Sequence, residues 1–127
     1  MAVKAEEFLS VAKNFQANNP TEIEARCMIS RSYYAMYHKA LGVLDKTPRE
    51  YNSKGCHANL IEYLKRDVGL DEPDKDATKL RRVSYILEQE RVNRVRADYF
   101  LNETLTVDNA SDSIKSADRC ILLCDEV

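Results

Sequence analysis

The stretch LRRVSYILEQERVNRVRADYFLN, residues 80–102, decides how the rest of the chain can fold. At 100° per residue, one stripe of this predicted helix runs through Leu80, Ser84, Leu87, Arg91, Arg94, Asp98 and Leu101. The first half of the stripe is mostly apolar and predicts a core-facing seam, whereas the second half carries two arginines and an aspartate. Buried charges are costly unless they are paired or hydrated. The pattern therefore predicts that the bundle opens here into a polar cleft or meets a second chain.

Two other interpretations of this stretch stay open. Arg94 and Asp98 are four residues apart, so they would also form a simple salt bridge on a solvated helix face. The apolar seam would alternatively rotate onto Val92, Val95 and Tyr99, which would leave both arginines outside.

The remaining chain predicts further helices around this one. Apolar spacing and capping signals indicate helices over about residues 3–16, 21–45, 54–67 and 75–101, and a fifth that Thr106 or Asp108 begins. Residues 46–53 and 68–74 are predicted loops, and no strand pattern or internal repeat is present. We therefore predict one domain over residues 1–127, an all-α, up-and-down bundle of about five helices.

The second helix is predicted to be long and to pack against several neighbours. Its seam has coiled-coil-like spacing, at Ile23, Cys27, Ser30, Tyr34, Tyr37, Leu41 and Leu44. Further apolar residues widen the seam, so we expect the helix to be contacted on more than one side. Arg31 and His38 belong to a polar stripe that repeats every seven residues. These two side chains lie either on a solvated edge or beside a site shared with the fourth helix.

Composition narrows the classes of function. No apolar run approaches the roughly 20 residues needed to span a bilayer, and acidic residues interrupt the N-terminus where a signal peptide needs an apolar core. We therefore expect a soluble, cytoplasmic protein without a membrane partner. The net charge of −2 argues against strong nonspecific binding to nucleic acid. Residues 79–96, however, carry six basic residues against two acidic ones, which favours a small, directed anion site.

The four cysteines do not form a persuasive framework for disulfides or metal. Cys27 and Cys56 are isolated, and Cys120 and Cys124 are four apart on a predicted helix without a nearby histidine. No Cys-x-x-Cys pair occurs, so we expect reduced, partly buried thiols. The sequence indicates neither a metal site nor a cofactor.

Two segments resemble signatures of a known family. RSYYAMYHKA at residues 31–40 resembles the second-helix signature of small prokaryotic HEPN-domain proteins, and RVRADY at residues 94–99 resembles their Arg-x-x-Ala-Asp-Tyr signature. SKGCH at residues 53–57 is a weaker echo of the start of their third helix. The resemblance implies a helical bundle that dimerises through its long helices, with RNA as the substrate class. It also implies a toxin–antitoxin or defence role, often with a small nucleotidyltransferase as antitoxin partner.

Catalytic members of this family carry an Arg-x4-6-His motif and cut RNA without metal, by attack of the ribose 2′-hydroxyl on the adjacent phosphate. In this chain Arg94 matches the motif arginine, but Tyr99 stands where histidine is expected. A tyrosine with a pKa of about 10 is a poor general base at neutral pH, although it can still donate a hydrogen bond. His38 is then the alternative proton carrier, while His57, in the first turn of the third helix, is better explained as a solvated or capping side chain than as a catalytic one.

These considerations give a set of expected site residues and three candidate functions. The expected catalytic residues are Arg94, Tyr99 and His38. The expected RNA- or nucleotide-binding residues are Arg91, Arg94, Arg96 and Arg31, with Asp98 orienting Arg94. The candidate functions are a HEPN module that binds RNA, a nucleotide or a nucleotidyltransferase at an arginine-lined dimer cleft, a metal-independent endoribonuclease, and a helical adaptor. We expect a homodimer, because the second helix is apolar on several sides and the fourth carries charge along its seam.

Overall fold

A computed structural model describes residues 2–52 and 54–127 and confirms an all-α bundle. Within these ranges the helices are α1 (Ala5–Gln16), α2 (Glu22–Gly42), α3 (Cys56–Arg66), α4 (Val68–Asp71), α5 (Ala77–Tyr99) and α6 (Val107–Asp125). Ser53, which begins the third-helix echo and ends a predicted loop, lies outside the described residues. No helix in the described part of the chain is both long and apolar enough to cross a membrane.

Local capping explains where two of the helices begin. At α2, Glu24 donates its backbone N–H to Thr21 Oγ1 at 3.4 Å, and the Glu24 carboxylate accepts the Thr21 N–H at 3.0 Å. This is the capping box that the sequence predicts. At α6 the cap is Thr106 rather than Asp108, because Thr106 Oγ1 accepts the Asn109 N–H at 3.1 Å.

The structure adds one short helix to the prediction and shifts several helix ends by two or three residues. The predicted loop at residues 68–74 contains α4, because Val68 is buried and the chain after Asp67 continues to hydrogen-bond as a helical turn. Gly69 suits this turn, since an added Cβ would lie only 3.2 Å from the Ala77 Cβ. In addition, α2 ends at Gly42 rather than near residue 45, and α5 ends at Tyr99 rather than Leu101.

The second helix is contacted on more than one side, as predicted, and it lies at the centre of the bundle. It packs against α1, α5 and α6, while α3 packs mainly against α5. Its buried side chains therefore point in several directions, although Ile23, the first residue of the predicted seam, is 66% exposed. Because helices of the same chain cover the apolar sides of α2, these sides no longer argue for a dimer.

A buried arginine joins α2 to the C-terminal end of α5. Arg26 Nη1 donates to the carbonyl oxygens of Ala97 at 3.0 Å, Phe100 at 3.2 Å and Arg96 at 3.4 Å. Its Nη2 donates to the carbonyl oxygen of Glu103. The last carbonyls of a helix lack intrahelical partners, and the guanidinium satisfies that of Ala97 together with the Phe100 and Glu103 carbonyls just beyond the helix. This contact holds the final turns of α5 in place.

Candidate anion-binding site

The apolar seam of α5 continues into the charged segment instead of rotating away from it. Arg94 is 8% exposed, whereas Val92 and Tyr99 are 58% and 68% exposed, so the rotated seam is wrong. The predicted seam residues Leu80, Ser84 and Leu87 are buried, as expected. Leu101, the last residue of the predicted stripe, is exposed because it lies beyond the end of α5.

Arg94 is a buried cation with incomplete hydrogen bonding. Its Nη1 lies 3.3 Å from Asp98 Oδ2, which confirms the predicted pair, and Ser30 Oγ donates to the same carboxylate oxygen at 3.4 Å. The guanidinium carbon lies 5.6 Å and 5.5 Å from the ring centroids of Tyr33 and Tyr34, within cation–π range. Arg94 Nε is fully buried without a partner among the described residues. The Arg94 side of the pair is therefore buried, whereas Asp98 still meets solvent.

A histidine from α3 completes this cluster. His57 Nδ1 lies 2.9 Å from the Tyr33 hydroxyl oxygen, and its ring centroid lies 4.4 Å from that of Tyr37. Burial lowers the pKa of His57, and the positive charges of Arg94 and Arg91 lower it further. His57 is consequently a neutral imidazole at neutral pH, with a nitrogen available to accept or donate a proton.

The surrounding tyrosines stay protonated at neutral pH. Burial raises the pKa of Tyr33 well above its ordinary value, against the opposing charges of Arg91 and Arg94. Burial and the neighbouring Cys56 thiol raise the pKa of Tyr37 to about 12. These phenols therefore supply neutral hydrogen-bonding groups and ring faces rather than negative charge. We call Arg91, Arg94, Asp98, Tyr33 and His57 the arginine site.

The remaining predicted arginines lie in different surroundings. Arg91 is half-buried, and among the described residues it has no acidic partner in ion-pair contact. Arg96 instead pairs with Glu103 at 2.8 Å, which leaves it less available to a ligand. Arg31 is exposed and lines a groove against α1. Lys79 is also paired, with Glu126 at 3.0 Å. Because Arg96 and Lys79 are both neutralised, the six basic residues of segment 79–96 give a weaker positive potential than their number suggests.

The predicted proton-transfer residues, Tyr99 and His38, are both exposed. Tyr99 is 68% exposed and makes no side-chain hydrogen bond to a described residue, so it does not pack on the side of Val92 and Val95 as expected. His38 is exposed and stacks on Phe8, with ring centroids 5.3 Å apart. His57 is the histidine that packs against the aromatic rings beneath Arg94.

An apolar groove lies beside the arginine site, between α3 and α5. It has a volume of about 620 Å³. Its apolar lining consists of Ala58, Ile61, Val92, Val95 and Phe100, and its charged rim consists of Lys54, Glu62, Glu88, Arg91 and Arg96. We call it the α3/α5 groove. Arg91 connects this groove to the arginine site.

Sequence reasoning missed the contribution of Tyr33 and His57. Both lie in segments that carry the family resemblance, at residues 31–40 and 53–57, and that placement was the available signal. Their contact joins α2 to the start of α3 across a loop, so no helical periodicity indicates it.

In comparisons with known proteins, no family model, curated protein or solved structure matches this chain. What the site can do therefore follows from its geometry: it can hold an anion against two arginines beside a neutral imidazole.

Proposed function

We propose that the chain is a HEPN-like module that binds a phosphate of RNA or of a nucleotide at the arginine site. The observation that carries this proposal is the buried Arg94 guanidinium, whose Nε has no partner among the described residues. A buried cation with incomplete hydrogen bonding is costly, and an anion at the small part of the Arg94 guanidinium that still meets solvent would offset its charge.

A comparison within the chain supports a ligand-binding role for Arg94. Arg26 is equally buried, but four carbonyl oxygens accept its hydrogen bonds, as expected for a structural arginine. Arg94 has one carboxylate partner and two ring faces. The planar guanidinium fork suits a phosphate, and Arg91 adds a second cation without an acidic partner in contact.

The direct test is binding of a fluorescent RNA decamer by anisotropy in EDTA. A 2′-O-methyl decamer lacks the attacking hydroxyl, so binding can be measured even if the protein cleaves RNA. We expect Arg94→Ala to lose binding, Arg94→Lys to weaken it because a point charge replaces the fork, and Arg91→Ala to weaken it. Arg82→Ala removes an exposed arginine of the same helix and is the matched control, with binding unchanged.

Stability measurements separate a ligand-binding role from a structural one. If Arg94 is only structural, Arg94→Ala removes its hydrogen bond to Asp98 and its contacts with the Tyr33 and Tyr34 rings, and it lowers the free energy of unfolding by about 1.5–3 kcal/mol. Such a loss of stability would contradict the proposal if Arg94→Ala leaves binding of the decamer and of AMP unchanged, or if wild type binds neither. Either result would favour the helical adaptor.

A second candidate, a metal-independent endoribonuclease, is favoured by His57. The neutral imidazole of His57, within the arginine site, would supply the proton-transfer group that Tyr99 does not. Arg94 would stabilise the charge that builds on the phosphate. On total RNA in EDTA, we expect cleavage to be lost in Arg94→Ala and to fall about 10²- to 10⁴-fold in His57→Ala. Tyr99→Phe should cleave like wild type. RNA that stays intact at high protein concentration would contradict the ribonuclease and leave RNA or nucleotide binding as the proposed function.

The family resemblance extends the proposal to partners and setting. It implies a toxin–antitoxin or defence role and a nucleotidyltransferase antitoxin as partner. We also propose a homodimer in which a second copy covers the α3/α5 groove, so that two arginine sites border one cleft. The support for it is the exposed apolar surface at Val92 and along residues 99–101.

A further inference from the structure

Three neighbouring rings, in which His38 stacks on both Phe8 and Tyr34, form a platform beside the arginine site. The ring centroids of Phe8 and His38 are 5.3 Å apart with planes inclined by 24°, and those of Tyr34 and His38 are 6.2 Å apart and inclined by 28°. Phe8 and Tyr34 are 6.5 Å apart. His38 is exposed, while Phe8 and Tyr34 are half-buried, so part of each ring system faces solvent. We call these three residues the aromatic platform.

Tyr34 belongs to both the platform and the surroundings of the arginine site. Its ring centroid lies 5.5 Å from the Arg94 guanidinium carbon and 6.0 Å from the His57 ring. A phosphate held by Arg94 therefore has a stacking surface within the reach of the nucleotide next to it.

The edges of the platform are open and carry groups that suit a base. On one side, a groove of about 420 Å³ is lined by Val3, Glu7, Phe8, Val11 and Arg31. The Glu7 carboxylate would repel a phosphate, but a carboxylate accepts hydrogen bonds from the amino groups of bases. The exposed Arg31 can meet the backbone beyond that base. On the other side, His38 lines a second groove of about 260 Å³.

We infer that the aromatic platform stacks a base of single-stranded RNA whose neighbouring phosphate lies at Arg94. This inference rests on the proposed function and narrows its ligand class to an extended single strand rather than a mononucleotide. Aromatic rings beside a cationic side chain that holds the phosphate are the usual means of binding unpaired strands, because every base presents a π face. A duplex keeps its bases stacked on one another and cannot use the platform.

The test compares substitutions in the platform with a matched change on the same helix. Binding of the 2′-O-methyl decamer is measured for wild type, Phe8→Leu, His38→Leu and the control Phe15→Leu, a half-buried phenylalanine outside the platform. We expect Phe8→Leu and His38→Leu each to weaken binding about fivefold or more, as base stacking on aromatic side chains contributes. Phe15→Leu should bind like wild type, and His38→Leu changes an exposed side chain, so it tests the platform even if Phe8→Leu folds poorly.

Ligand comparison gives the second measurement. We expect the decamer to bind more tightly than AMP and more tightly than the same sequence as a duplex. Decamer binding that needs Arg94 but is unchanged in both platform variants would overturn the platform and leave the proposed function intact. AMP binding as tight as that of the decamer would overturn the single-strand inference alone. Absence of binding to either ligand would overturn both.

Discussion

Arg26 and Arg94 show how differently one residue type is used at two buried positions. Arg26 has four carbonyl acceptors and completes a helix end. Arg94 keeps one nitrogen unpartnered among the described residues and lies over two tyrosine rings. A full hydrogen-bond set is characteristic of a structural side chain, whereas unused donor capacity in a buried cation favours a ligand.

His57 should make stability depend on pH near neutrality. Its pKa is lowered in the folded protein relative to the ordinary value of about 6.5. The unfolded chain therefore binds the proton more readily than the folded protein does. The contribution of His57 to the free energy of unfolding is fully present above about pH 6.5, and it is lost as pH falls through the lower folded pKa. We expect the melting temperature of wild type to fall more between pH 7.5 and 5.5 than that of His57→Gln.

The carboxylates that are paired in the fold change protonation at lower pH, and they are present in both wild type and His57→Gln. The difference between the two melting-temperature profiles therefore reports the effect of His57. A direct check is the NMR titration of the His57 ring, which should have its midpoint below 6.5. Parallel melting curves, or a midpoint above 6.5, would contradict this prediction.

At the scale of elements, the C-terminal end of α5 depends on α2. Arg26→Met keeps a similar length and apolar stem but removes every hydrogen bond to the four carbonyls. We expect the free energy of unfolding to fall by about 2–4 kcal/mol, because hydrogen bonds from charged donors contribute about 1.5–3 kcal/mol each and water replaces some of them. Urea denaturation measures this loss, and Arg119→Met, at an exposed position of α6, is the control.

The same substitution should loosen the end of α5 locally. Amide hydrogen exchange should become faster at residues 96–103 while α1 remains protected. A change in stability no larger than that of the Arg119 control would mean that solvent satisfies these carbonyls equally well.

The molecule as a whole exposes apolar surface in the α3/α5 groove. Val92 lies in the groove and is 58% exposed, and Leu122 on α6 is 60% exposed but outside it. If a second copy covers the groove, light scattering at micromolar concentration should give the mass of a dimer. Val92→Lys should then give a monomer, since a charge in an apolar interface is costly, while Leu122→Lys stays dimeric.

A stable interface of this kind buries more than about 1,200 Å² in total. A wild-type monomer at these concentrations would refute the homodimer. Equal dimers from both variants would move the interface away from the groove.

Much of the architecture follows from local patterns in the sequence. The helices, the Thr21 and Thr106 caps and the Arg94–Asp98 pair all depend on residues three or four apart, and such contacts repeat with the helical period. The central position of α2 also follows from its sequence, because a helix that is apolar on several sides must be surrounded. The sequence also placed two arginines and an aspartate on the stripe that continues the apolar seam of α5.

Other features arise only when distant segments pack together. The Tyr33–His57 contact joins residues 24 apart, and the Arg26 contact with the Ala97 carbonyl joins residues 71 apart. The burial of Arg94 against two rings of α2, and the exposure of Tyr99, depend on how α5 is rotated and where it ends. Periodicity describes the faces of one helix but not which residue of another helix meets them. The tertiary structure alone therefore decided that His57, rather than Tyr99, packs against the rings beneath Arg94.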